Sequence, residues 1–124
     1  MTHQEKIDLL KKFAQAFNNH DIDTLMDCMT DDCIYDASSG AFEFGTRFEG
    51  QQAVRESFLG IFKVFPDAQW NNDIHFVDGN RGASQWYFTG TLEDGKKVEV
   101  NGNDLFHFKD GKIYIKDSYR KNRV

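Results

Sequence analysis

The order of elements along the chain predicts an α+β fold in which one curved antiparallel sheet wraps three N-terminal helices. Two observations carry this. Apolar residues recur with helical spacing only in the part of the chain that ends at Pro66, whereas beyond Pro66 apolar and polar residues alternate between short Asp-Gly turns. With 124 residues and no linker, repeat or low-complexity stretch, the chain is expected to form one domain over residues 1–124, large enough to enclose a core and a small cavity.

Residues 5–18 read as the first helix, with Ile7, Leu10, Ala14 and Phe17 on one stripe and Phe13 beside it. Asp21 is the expected N-cap of a shorter second helix whose apolar face is Ile22, Leu25, Met26 and Met29. Cys33-Ile34-Tyr35-Asp36 reads as a short strand leading into the small-residue loop Ala37-Ser38-Ser39-Gly40. The third helix starts near Gly50, presents Val54, Phe58, Ile61, Phe62 and Phe65, and stops at Pro66. Four strands follow, near 69–78, 82–92, 97–109 and 112–121. In the second of these, Ser84, Trp86, Phe88, Gly90 and Leu92 share the apolar face.

The strand 97–109 holds the feature most suggestive of function. Its apolar face reads Val98, Val100, Gly102, Asp104, Phe106, Phe108, so a carboxylate sits where stability alone would favour another valine. Asp110-Gly111 predicts a two-residue hairpin, and an uninterrupted register from it sets Phe106 opposite Ile115, Asp104 opposite Asp117 and Gly102 opposite Tyr119. Asp104 and Asp117 are then expected to share an apolar space, to titrate as a coupled pair with one raised pKa, and to tolerate Asp104→Asn with a gain in stability at neutral pH. Asp36 has two readings, a base reached from a cavity or a turn-initiating aspartate bonded to its own loop.

Other features exclude function classes. The net charge of −5 argues against a general nucleic-acid surface, and no apolar run approaches a membrane span. Cys28 and Cys33 are too few for a disulfide scaffold and suit a reduced, cytoplasmic protein, as does an N-terminus without a signal-peptide core. His3, His20, His75 and His107 are scattered, so neither a metal nor another cofactor is expected. Gly90 to Lys97 has the spacing of a phosphate loop but lacks its final Ser or Thr and a following helix, and reads as a hairpin. Tyr87, Leu105, His107 and Tyr114 fall on the outer sheet face, an aromatic surface that predicts a homodimer.

Four segments together resemble the ketosteroid isomerase and SnoaL-like polyketide cyclase group of the nuclear-transport-factor-2-like superfamily. They are Ala16 to Asp21, Asp31 to Asp36, Phe48 to Val54 and Asp104 to Ile113. The resemblance implies a cystatin-like cone with an internal pocket, and a superfamily that includes isomerases, cyclases, dehydratases, epoxide hydrolases and binding domains. It maps Asp36 onto the isomerase general base and Asp104 onto the protonated aspartate that donates to the enolate oxygen. The isomerase's oxyanion tyrosine corresponds to Phe13, which cannot donate, and Tyr119 is a substitute hydroxyl. Asp117 resembles the last-strand base of the SnoaL-like cyclases.

The expected site therefore comprises Asp36, Asp104, Asp117 and Tyr119 in a pocket lined by Phe13, Phe17, Phe58, Phe62, Trp86, Phe88, Phe106 and Ile115. Its expected ligand is a small, flat, hydrophobic ketone or phenol, processed by acid–base chemistry as in an isomerase, cyclase or lyase. The alternatives are a non-catalytic binding domain and a protein-interaction module.

Overall fold

The computed structural model describes residues 1–124 and contains three helices and six strands. Helix α1 (His3–Asn18) begins in a reciprocal cap, in which Thr2 accepts from the Glu5 backbone and the Glu5 carboxylate accepts from Thr2 N–H. Helix α2 (Ile22–Asp27) is capped by Asp21, whose carboxylate accepts from Thr24 N–H at 3.2 Å. Helix α3 (Gln51–Val64) stops two residues before Pro66. No helix is long and apolar enough to cross a membrane.

The strands β1 (Met29–Phe42), β2 (Gly45–Glu49), β3 (Gln69–Asp78), β4 (Arg81–Thr91), β5 (Lys97–Lys109) and β6 (Lys112–Arg120) form one sheet ordered β2-β1-β6-β5-β4-β3. Its pairs are antiparallel except β1 with β6, which run parallel. That corrects the expectation of a wholly antiparallel sheet, and β2 is an element the sequence reading lacks. The stretch Ala37 to Gly40 lies in a strand, because β2 returns beside it and pairs with Ala37 and Phe42 on either side of an irregularity.

The inner sheet face packs on the helices through aromatic edges. Phe13 meets the rings of Phe17, Phe58 and Phe106 edge-on, with centroids 5.1, 6.3 and 5.9 Å apart. These buried rings, with Leu10, Leu25, Met29 and Ile113, form the main core. A second cluster of Phe65, Ala68, Trp86, Phe88 and Val100 closes the far end. Between the two lies a gap.

One irregularity decides what faces that gap. The Asp110-Gly111 turn forms as expected, with φ of 53° and 77°, and Lys109 and Phe108 pair with Lys112 and Ile113. The next pair, however, is His107 with Ile115, so Tyr114 is an extra residue in β6. Ile113 donates its N–H to Cys28 of the neighbouring segment and buries its side chain completely, and the strand steps around it. Every later residue of β6 is thereby turned over. Asp104 lies opposite Ser118, Leu105 opposite Asp117 and Asn103 opposite Tyr119.

Candidate active site in the cavity between helix three and the sheet

A cavity of about 420 Å³ opens between α3 and the inner sheet face. Phe17, Phe48, Trp70, Trp86 and Phe88 give it aromatic walls, and α3 contributes Ser57, Gly60, Ile61 and Val64. Strand β6 supplies Lys116, Ser118 and Arg120, the three residues that the Tyr114 bulge turns inward. No carboxylate or imidazole lies in its lining.

Lys116 is the centre of the polar network. Its Nζ donates to Asp104 Oδ1 at 2.9 Å and to Ser118 Oγ at 2.7 Å, and the Ser118 hydroxyl donates in turn to Asp104 Oδ1. Trp86 Nε1 donates to the other carboxylate oxygen at 3.0 Å. All four residues are buried. The Lys116 ammonium also sits 4.7 Å from the Tyr35 ring centroid and 5.1 Å from that of Phe17, so aromatic faces complete its surroundings. An ammonium has three N–H donors, and two are used by Asp104 and Ser118. Gly102 makes this arrangement possible, because a Cβ there would stand 2.4 Å from Cη2 of Trp86, whose indole lies across it.

Behind Lys116 is a smaller void of about 20 Å³, bounded by Leu10, Phe13, Phe106, Asp73, Ser84, Asp104 and Lys116. It is water-sized and polar on one side. Ser84 Oγ is 2.7 Å from His75 Nδ1, and His75 Nε2 is 2.7 Å from Asp73, so a serine, a histidine and an aspartate connect the void to the surface. Asp73 is 40% exposed at its side chain, while that of His75 is 3% exposed. The irregular pairing of β3 between Asn71 and Ile74, where Asn72 has φ of 56°, turns Asp73 toward His75.

Of the expected catalytic residues only Asp104 faces inward, where it is ion-paired to Lys116, while Asp117 lies on the opposite face of the sheet. Asp36 lies on the outer face, where Arg47 clamps it with two hydrogen bonds of 2.8 and 3.0 Å. Asp117 lies beside it on that face and accepts from the Tyr119 hydroxyl at 3.1 Å. Partial burial raises the Asp117 pKa, the bond from Tyr119 lowers it, and the neighbouring charges of Asp36 and Asp104 raise it further. Tyr119 is half exposed and points away from the cavity.

The expected lining divides as well. Phe17, Trp86 and Phe88 border the large cavity, and Phe13 and Phe106 border the small void. Phe58 is wholly buried in the core, and Phe62 stacks on His20 at 4.2 Å and borders neither space. Ile115, opposite His107, is on the outer face because of the bulge. Residues that the sequence reading missed are Lys116, Ser118, Arg120 and the His75–Asp73 pair. No three His, Cys, Asp or Glu side chains converge as a metal site would require.

The fold has many solved counterparts. A candidate polyketide cyclase from Xanthomonas campestris superposes with a TM-score of 0.85 at 20% identity, over 97% of this chain and 92% of that one. A candidate SnoaL-like polyketide cyclase from Jannaschia gives 0.84 at 17% identity, over 96% and 87%. TerC, crystallised with polyporic acid, gives 0.82 at 15% identity, over 94% and 92%. At these identities the likeness concerns the fold. No curated protein sequence matches the chain. The family model for the SnoaL-like domain matches residues 10–115, from the first helix to the last strand, and the chain belongs to that family.

Proposed function

We propose that this protein binds a small, flat, largely apolar compound with a carbonyl or phenolic oxygen and performs acid–base chemistry on it through Lys116. The observation that carries this is a buried ammonium at the edge of an aromatic cavity, with one N–H not engaged by the protein. A ligand oxygen accepting that N–H gains charge stabilisation, and most of all when it becomes an enolate, the acidic C–H proton passing to a solvent base because the cavity lining supplies none. Asp104 keeps the ammonium oriented, and Ser118 and Trp86 hold Asp104. The role that the sequence assigns to a protonated aspartate thus passes to a lysine. The crystallisation of TerC with polyporic acid supports a small organic ligand in this fold.

A cavity lining without carboxylate or imidazole favours a second reading, that of a ligand carrier. Deuterium exchange separates the two. With 2-acetyl-1-tetralone in D₂O, an acid–base enzyme accelerates exchange of the acidic C–H and Lys116→Met abolishes the acceleration. Binding without exchange leaves the carrier, and no binding removes both readings.

The family's small-molecule role goes together with a proposed homodimer on the outer sheet face. Ile74, Phe76, Leu105 and Tyr119 are exposed there, between 38% and 58% each. Sedimentation velocity at micromolar concentration showing a dimer that Leu105→Asp dissociates supports this, and a single 14.4 kDa species refutes it.

A further inference from the structure

Arg120 differs from every other group facing the cavity. It closes β6, lines the cavity near Phe65 and Phe88, and holds its guanidinium 5.2 Å from the Phe88 ring centroid. Its Nε is buried and has no hydrogen-bond partner. It belongs to none of the ion pairs in the structure, whereas Lys116 has Asp104. In a chain of net charge −5, the cavity lining holds two cations and no acid, and one of those cations has no acidic partner. Desolvating an arginine N–H without a partner is unfavourable, and a planar fork of donors matches a carboxylate.

We propose that Arg120 is an anion seat, and that the cavity takes an aromatic acid: a fused or linked ring system whose carboxylate, or equally acidic enolate, rests on Arg120. This rests on the binding reading above and specifies its ligand class. Lys116 and Arg120 are four residues apart on an extended strand, so their Cα atoms are separated by about 13 Å. The ligand's carbonyl or phenol and its acid group therefore lie at opposite ends of the ring system. Phe88 and Trp86 on β4 flank the space between. In this arrangement the anion provides orientation at one end while Lys116 acts at the other.

Matched probes test it. For wild-type protein, 2-naphthoate should bind more tightly than 2-naphthamide by roughly tenfold to a hundredfold, the range expected for a charged hydrogen bond in place of a neutral one. Arg120→Gln should remove that preference by weakening naphthoate far more than the amide, and Arg120→Lys should retain part of it. In the wild type, the Arg120 Nε–H resonance should move with naphthoate and stay with the amide, a readout that holds even if the glutamine variant does not fold. Equal binding of both probes to wild type overturns the anion seat and leaves the cavity reading intact. A preference that survives in Arg120→Gln but vanishes in Lys116→Met also overturns it, by moving the anion to Lys116. If neither probe binds, the cavity reading fails first.

Discussion

Asp104→Asn is the most direct test of the buried pair. Asparagine preserves shape but removes the charge that faces the Lys116 ammonium, and one end of its amide presents N–H groups to donors on Trp86 or on Lys116 and Ser118. Both partners are buried, with side chains 8% and 7% exposed, so water has little room to replace the carboxylate. Breaking a buried pair from one side costs about 3–5 kcal/mol. For a chain of this length that corresponds to a fall in melting temperature of about 12–20 °C, since unfolding entropy is about 2.1 cal/mol/K per residue. The double variant Asp104→Leu with Lys116→Met replaces both charges by apolar side chains and should recover most of the loss. Thermal and urea unfolding of the wild type, Asp104→Leu, Lys116→Met and their double variant give the coupling energy directly. The reasoning is refuted if Asp104→Asn melts within about 2 °C of wild type, a change of roughly 0.5 kcal/mol. The earlier expectation from the sequence, a gain in stability at neutral pH, is the opposite result.

Three other outcomes follow from the outer face and the close packing at Gly102. The folded Asp117 pKa is raised, so the carboxyl favours folding while protonated, and this contribution is lost as pH rises from the ordinary value near 3.9 through the folded one; Asp117→Asn should therefore raise the melting temperature at pH 7 and leave it unchanged at pH 3. Arg47→Met strands the buried Asp36 carboxylate and should cost roughly 1–3 kcal/mol in urea unfolding, yet leave naphthoate affinity unchanged because the pair faces away from the cavity. Gly102→Ala places a methyl group 2.4 Å from Trp86 and 2.6 Å from the Tyr119 carbonyl oxygen, so it should cost roughly 1–3 kcal/mol and shift the Trp86 fluorescence.

The helices were legible because their stripes and caps are local. Thr2 with Glu5, Asp21 with Thr24, and the Pro66 stop each involve residues within a few positions. The inner face of β5 was legible because strict alternation from Val98 to Phe108 admits one assignment of sides. What could not be read was pairing decided at a distance. Ala37 to Gly40 carries neither alternation nor large side chains, and it is drawn into a strand by the β2 pairing that flanks it at Ala37 and Phe42. The parallel contact of β1 with β6 joins segments about eighty residues apart and leaves no local trace. His75 looked like one scattered histidine because its partners are Ser84 across the sheet and an aspartate placed by an irregular stretch of β3.

The site itself turned on Tyr114. An uninterrupted β6 faces Ile113, Ile115, Asp117 and Tyr119 inward, a largely apolar set that agrees with the core and with a second aspartate near Asp104. The actual strand faces Lys116, Ser118 and Arg120 inward, a set that alternation rules would assign to water. Binary patterning therefore pointed away from the true register. The compensation lies on the neighbouring strands: Asp104 neutralises Lys116, Trp86 and Ser118 satisfy Asp104, and the rings of Tyr35 and Phe17 flank the ammonium, whose third N–H has no hydrogen-bond partner in the protein. Arg120 has the Phe88 ring beside it but no acidic partner, and its Nε–H has no acceptor. A sheet that accepts two inward cations, and leaves one of them unmatched beside an aromatic cavity, has given up stability where a ligand's own charge can restore it.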